Sequence, residues 1–343
     1  MNSSFIQKDS VEYCYENVSR SCIKLSRSVS ERAAMYFVFV PSVLITVGGN
    51  LVVIISISHF KQLHSPNNLL VLSLAIADFL LGLFVLPFSM IRSVETCWYM
   101  GPLFCKLHTS VDILLCTTSV FHLCFIAIDR YYAVCEPLRY ANKITIRVSR
   151  IFITFGWVFP AIYSFGIIYT KSNDRGLEEL DAILSCEGGC FLFFNKLWAI
   201  LNAVIFYAPC FGMIGIYARI LTVARNQAKL IHTVKDRTFS LEETRRKAQR
   251  NREQKAAKTL GIVMGVFLVC WLPYIIDTMI DVYVKFVTPA AVYDGIIWLV
   301  YINSAFNPLI YAFFYPWFRK ALKLIVTLKI FFPNSSRIKL YKE

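Results

Sequence analysis

Seven helices crossing a membrane, followed by a short amphipathic eighth helix on its inner face, are the fold that this sequence predicts: an all-α membrane protein. Three observations predict it. Of 343 residues, 57% are hydrophobic and 17% charged, against about 45–50% and about 25% in soluble domains. The apolar excess is gathered into seven long runs, each near the roughly 17–25 residues that a membrane helix needs. The positive charge is confined to segments that flank those runs.

Residues 1–32 form an N-terminal segment with two glycosylation acceptors, Asn2 in Asn2-Ser3-Ser4 and Asn17 in Asn17-Val18-Ser19, a triplet that is also frequent by chance. No apolar signal-peptide core precedes residue 33, so the first run is expected to act as its own insertion signal. The membrane domain takes up 33–315, and its runs are 33–60, 66–91, 107–128, 151–170, 197–218, 259–276 and 295–318. Backbone groups in lipid must be satisfied within the segment, so each run reads as a helix. Two connections are long: 171–196 outside, and 225–252 inside, which has no Gly or Pro and is able to extend the flanking helices. Pro41, Pro87, Pro160, Pro209, Pro273 and Pro308 fall inside spans, where each marks either a kink or a packing irregularity. In the closing segment 316–343, Phe318, Ala321, Leu322 and Ile325 recur at helical spacing among Arg319, Lys320 and Lys323. That pattern predicts an amphipathic helix on the inner membrane surface, with lipid as its partner, followed by a cytoplasmic tail.

The net charge is +14, and two stretches hold it: 219–258 with 12 Lys/Arg against 4 Asp/Glu, and 319–343 with 7 against 1. Basic residues beside membrane runs mark cytoplasmic segments, whereas a nucleic-acid partner would call for a folded basic surface with stacking aromatics. Seven spans then put the N-terminus outside a multi-pass protein of the cell membrane. Of eleven cysteines, Cys14, Cys22, Cys97, Cys105, Cys186 and Cys190 fall in outer segments, where disulfides form. Six cysteines allow 15 pairings, and sequence alone leaves them open.

The chemistry lies in the few polar residues at membrane depth. Asp112 is a lone carboxylate in the third run, and an ionised group there marks a functional site by default. Its own segment offers only Lys106 nearby on the outer side, so the partner is expected to arrive as a ligand carrying an ammonium group. Trp271, Tyr274, Trp298 and Tyr301 fall in the outer halves of the sixth and seventh spans, and aromatic faces attract cations by about 0.5–2 kcal/mol each. Asp78 lies mid-span with Asn50, Ser119, Asn303 and Asn307 at comparable depth: either a buried hydrogen-bond network or a site for a small hard cation. Asp129-Arg130-Tyr131 closes the third span at its inner end, roughly 27 Å from Asp112 along a helix. Arg130 is either a snorkelling interfacial residue or a latch, with Glu253 as a candidate partner. No nucleophile–base pair or aqueous metal-ligand set points to an enzyme. A cation transporter would need an acid pathway across the membrane, and the inner half of the third helix offers only apolar residues and small hydroxyls.

These residues resemble the rhodopsin-like G-protein-coupled receptors. The resemblance rests on Asn50, Asp78 in Leu74-Ala75-Ile76-Ala77-Asp78, Asp129-Arg130-Tyr131, Trp157, Pro209 with Tyr217, Cys270-Trp271-Leu272-Pro273 and Asn307-Pro308-Leu309-Ile310-Tyr311, one or two per span and in order. Residues 303–318, with 59–66, 92–99 and 255–261, are similar to the trace amine-associated receptors.

The resemblance implies a receptor for small, volatile amines that acts in olfaction, coupled through a heterotrimeric G protein of the stimulatory class to cyclic AMP. The near alternative is a neurotransmitter-type receptor for an aromatic amine such as serotonin. The implied ligand-binding set is Asp112, Ile113, Cys116, Asn202, Trp271, Tyr274, Ile275, Trp298 and Tyr301. The implied activation set is Asp129, Arg130, Tyr131, Tyr217, Glu253, Asn307, Pro308 and Tyr311. No cofactor is implied beyond an allosteric sodium ion at Asp78, Ser119, Asn303 and Asn307. The implied disulfides pair Cys105 with Cys190, then Cys186 with Cys22 or Cys14, and Cys97 with the remaining one.

Departures narrow the ligand. The fifth span reads Leu201-Asn202-Ala203-Val204-Ile205 where catecholamine receptors carry serines. Asn202 is neutral where diamine-tuned members place a second acid, so a monoamine is expected. Asp277, Asp281 and Asp294 near the outer mouth are left either to compensate weakly as partners of a second ammonium group or simply to steer cations inward. Tyr301 stands where an opsin has its lysine, and no cysteine follows the seventh span to carry a palmitoyl anchor.

Overall fold

The computed structural model describes residues 12–170, 186–190, 195–233, 241–284 and 288–340, with the backbone alone at 224, 227–233, 241–258, 260, 281–282 and 290. Asn2 and the side chains of Glu253 and Asp281 thus lie outside the described residues. Among the described residues, seven helices are long and apolar enough to cross a membrane.

Helix α1 (Val29–His59) starts ahead of the first apolar run because its cap sits there. Ser28 Oγ accepts the Glu31 amide at 3.2 Å, and Glu31 Oε2 accepts the Ser28 amide at 2.8 Å. Such reciprocal capping contributes about 1 kcal/mol. The second run divides into α2 (Pro66–Phe84) and α3 (Leu86–Glu95), which meet at Val85, since Pro87 supplies no amide to the Leu83 carbonyl one turn back. Then follow α4 (Gly101–Cys135), α5 (Pro137–Lys143), α6 (Ile146–Thr170), α7 (Lys196–Thr233), α8 (Leu241–Val284), α9 (Ala290–Phe314) and α10 (Pro316–Val326). The seventh span stops at Phe314, short of the end of its apolar run, because Tyr315 turns extended ahead of Pro316. Helices α7 and α8 continue well past the membrane from either side of the long inner connection.

Helix α4 is the hub and packs against α2, α6, α7 and α8, while α1 packs on α2 and α9. A close approach joins α1 to α9: a Cβ at Gly49 would meet Pro308 Cγ at 2.6 Å. The contact lets Asn50 Nδ2 donate to the Ser304 carbonyl at 3.1 Å. His122, mid-span in α4, is fully buried and donates from Nδ1 to the Thr118 carbonyl at 2.8 Å.

Outside, the strands Glu12–Tyr13 and Ile23–Lys24 pair antiparallel. The structure resolves the open cysteine pairings as Cys14–Cys97, Cys22–Cys186 and Cys105–Cys190. Gly188 has φ +93, and a Cβ there would strike Cys14 Cβ at 2.6 Å, so only glycine fits beneath the first bridge. Asn17 is exposed beside this knot.

On the inner side, Trp317, Phe318 and Ala321 of α10 are buried. The chain then turns back, so that Ser335 Oγ meets His59 Nε2 at 3.0 Å and the Leu340 amide donates to Gln62 Oε1 at 2.7 Å.

Candidate functional site

Asp112 is half-buried on α4. Tyr301 of α9 donates its hydroxyl to Asp112 Oδ2 at 2.6 Å, and the Cys116 thiol, one turn inward, approaches Oδ1 at 3.4 Å. Among the described residues no cation pairs with Asp112, and Lys106 is exposed. Among the described residues, two neutral donors therefore hold this carboxylate.

The predicted aromatics separate into two groups. Trp271 is buried, stacked on Phe206 with ring centroids 4.8 Å apart and edge-on to Tyr274 at 6.1 Å. Its indole nitrogen is buried with no partner among the described residues. Ile275 is buried in the same apolar cluster. Trp298, by contrast, is seated with the first and second spans. One face stacks on Phe39 at 3.6 Å, its Nε1 donates to Ser93 Oγ at 3.0 Å, and it meets Tyr301 edge-on. The reason is register: Trp298 stands three residues before Tyr301, nearly one turn outward, where α1 and α3 cover α9. Ile113 packs against Ile167, Ile168 and Ala199. Asn202 is buried and accepts the Tyr163 hydroxyl at 3.2 Å, so its amide is held by a neutral partner.

At the outer mouth, Asp294 is not a free acid for steering cations. Arg27 Nη2 reaches its Oδ2 at 3.3 Å, and Ser93 Oγ donates to Oδ1 at 3.1 Å. Asp277 accepts the Thr288 hydroxyl at 2.7 Å.

Deeper in the bundle, Asp78 is fully buried. Ser119 and Ser304 donate to its Oδ1 at 3.0 and 2.8 Å, and Asn307 Nδ2 donates to Oδ2 at 2.7 Å. Ser119 and Asn307 were expected here. Asn303 is buried, but among the described residues no hydrogen bond joins it to Asp78, and its neighbour Ser304 takes that place. Both positions lie within a helical turn of Asn307, so spacing does not choose between them.

At the inner end, Asp129 is fully buried and Arg130 doubles back on it. Arg130 Nε donates to Asp129 Oδ2 at 2.7 Å, and Nη2 shares the same oxygen. Tyr140 on α5 donates to Oδ1 at 3.0 Å. Tyr217 and Tyr311 are buried nearby, and the Tyr217 hydroxyl has no hydrogen-bond partner among the described residues. Tyr131 is partly buried against the core.

Sequence reasoning passed over Ser89, His108, Tyr140, Tyr163 and Ser304. His108 was open to discovery, since it stands one turn outward of Asp112 on the same helical face.

The model of the 7 transmembrane receptor (rhodopsin family) matches residues 49–311. The chain is 52% identical to "Trace amine-associated receptor 9" of Mus musculus over 343 residues, covering 100% of this chain and 99% of that one. It is 50% identical to "Trace amine-associated receptor 13c" of Danio rerio over 99% of both chains. With "Trace amine-associated receptor 7b" of Mus musculus it shares 49% over 100% of this chain and 96% of the other. Such matches place a seven-helix receptor, not an enzyme, in the plasma membrane with its N-terminus outside. The chain belongs to the trace amine-associated receptor family of rhodopsin-like G-protein-coupled receptors.

Proposed function

We propose that the protein is a receptor for small, volatile monoamines, acting in olfaction and raising cyclic AMP through a stimulatory G protein. The observation that carries the amine assignment is Asp112, which is held by Tyr301 and Cys116 but paired with no cation among the described residues. A protonated amine supplies that cation, in a charge-assisted bond roughly twice as strong as a neutral one. The relatives' printed names support the amine class. Asn202 gives a second ammonium group no charge partner, which favours monoamines over diamines.

In the proposed mechanism, the ammonium group binds Asp112 and the rest of the ligand lies against Trp271 and Tyr274. A shift of Trp271, whose indole nitrogen has no partner among the described residues, favours a second arrangement of α8 and α9 about Pro273 and Pro308. Arg130 leaves Asp129, and the buried Tyr217 hydroxyl gains a partner. The ligand drives this only by its affinity difference between the two arrangements. A Glu253 latch stays part of the proposal.

The Asp78 site fits a sodium ion. One buried carboxylate, two hydroxyl oxygens and the Asn307 amide form a hard, oxygen-rich set with no cation among the described residues, where Asn50 Oδ1 is likewise buried without a partner on the side chain that binds the Ser304 carbonyl. Asp78, Ser119 and Ser304 would hold the ion, which supplies a neutralising charge between spans.

The test is Asp112→Asn in cells with a cyclic AMP reporter, with surface expression measured alongside. Removing one partner of a buried charge pair costs about 3–5 kcal/mol, so amine potency falls by more than about 100-fold at unchanged surface level. An undiminished response rejects the pocket. A response that survives without stimulatory G protein rejects the coupling alone, and preference for serotonin over aliphatic amines favours the neurotransmitter alternative.

A further inference from the structure

Beyond Tyr301, the hydrogen bonds of Asp112 continue into the wall between the second and third spans. Tyr301 Oη lies 3.3 Å from Ser89 Oγ, and Ser89 Oγ lies 3.3 Å from His108 Nε2. His108 Nε2 also lies 3.2 Å from the Val85 carbonyl oxygen. Ser89 is 0% and His108 3% exposed. The row crosses from α4 through α3 to α9 and back to the carboxylate on α4.

The two ends fix the direction of every proton in the row. A carboxylate only accepts, so Tyr301 donates to Asp112. A backbone carbonyl only accepts, so the neutral ring of His108 carries its proton on Nε2, shared between Val85 and Ser89. Ser89 therefore accepts from His108 and passes its own hydrogen to Tyr301. Nδ1 is then a bare acceptor, and Nδ1 is the ring atom found buried with no partner among the described residues. An orphaned acceptor is better tolerated than an orphaned donor. Phe88 and Trp98 wall the His108 ring, with centroids 6.3 and 5.1 Å away. The ring is thus a fixture of the wall and not a second ligand contact.

We propose that Ser89 and His108 are positioning residues for the amine site, an inference that rests on the reading of Asp112 given above. Hydrogen bonds in series polarise one another, so the row strengthens the donor that Tyr301 presents. It pins Asp112 Oδ2 to the wall and leaves Oδ1, met among the described residues by the weak thiol donor of Cys116, for the ligand's ammonium group. The row acts on the carboxylate, so it affects amines of every shape alike.

The experiment expresses the full-length receptor and reads surface level and cyclic AMP against isopentylamine, N,N-dimethylcyclohexylamine and 1,5-diaminopentane. Ser89→Ala and His108→Leu are expected to raise the half-maximal concentration about tenfold for both monoamines, with surface level retained. His108→Gln, which keeps an amide donor near the position of Nε2, is expected to recover most of that loss. In a Tyr301→Phe receptor, where the row is already cut, Ser89→Ala should cost nothing more. Losses that add fully on the Tyr301→Phe background, or full potency in Ser89→Ala, overturn the proposal. A merely structural role would give additive losses.

A second measurement needs no agonist. In receptor labelled with ¹⁵N-histidine, the resonance absent from His108→Gln should report a neutral ring protonated at Nε2, and protonation at Nδ1 overturns the proposal. The two readings fail separately. A normal response in Asp112→Asn removes the amine site itself. A silent Asp112→Asn beside fully potent Ser89→Ala and His108→Leu removes only the positioning row.

Discussion

Helix α4 carries two acids 17 residues apart, about 25 Å along its axis, and the chain treats them in opposite ways. Asp129, at the inner end, is fully buried and has its own cation in the adjacent Arg130, with Tyr140 filling the remaining oxygen. Asp112, at the outer end, is held by a phenol and a thiol, and by no cation among the described residues. Between their levels, Asp78 on α2 takes three neutral donors. An acid with a resident cation is a closed pair, and a buried one opens only where the freed charge gains water or a new partner. An acid without one is a binding site for whatever brings the charge. On the proposed reading, the outer carboxylate of this helix recognises the amine and the inner one takes part in switching.

Substitutions that exchange these roles test the comparison. The largest effect belongs to Asp112→Asn, described above, and it should spare ligand-free signalling while removing the amine response. Next is Asn202→Asp, which places an acid where Asn202 now accepts from Tyr163. It should lower the half-maximal concentration of 1,5-diaminopentane by about tenfold or more while leaving isopentylamine within about threefold. Equal gains for both amines would show that Asn202 does not face the far end of the ligand. Asp129→Asn should raise ligand-free cyclic AMP by about fivefold or more, since a buried ionic restraint on Arg130 is lost, and an unchanged baseline would argue against the latch. Tyr140→Phe removes one hydrogen bond from Asp129 and should raise the baseline by about twofold. A rise larger than that of Asp129→Asn would assign Tyr140 a role of its own.

The spans were legible because lipid leaves the backbone one solution per run, and composition reports each run directly. Their ends were less legible. The caps at Ser28 and the break at Tyr315 depend on two or three residues, and the apolar pattern runs through both. Asp112 stood out because a charge at that depth is expensive wherever the helix turns. The aromatics around it did not sort themselves. Trp298 and Tyr301 lie three residues apart on one helix, yet Phe39 and Ser93 claim the first while Asp112 claims the second. Which side of α9 faces which neighbour is a matter of packing. The exchange of Asn303 for Ser304 at Asp78 has the same origin, a rotation of one residue.

Disulfide pairing was underdetermined for a different reason. Six cysteines carry no signal of distance until the outer loops are placed, and the Cys14–Cys97 contact also needs glycine at 188. Asp294 shows the opposite error, in which a charge taken as free is held by Arg27, 267 residues away in sequence.

The central claim is tested most directly by a structure of the receptor with N,N-dimethylcyclohexylamine bound. The amine nitrogen should lie about 2.7–2.9 Å from a carboxylate oxygen of Asp112, with Tyr301 still donating to the other oxygen. Asp112 paired instead with a lysine or arginine of the protein, and the amine lodged elsewhere, would contradict the account.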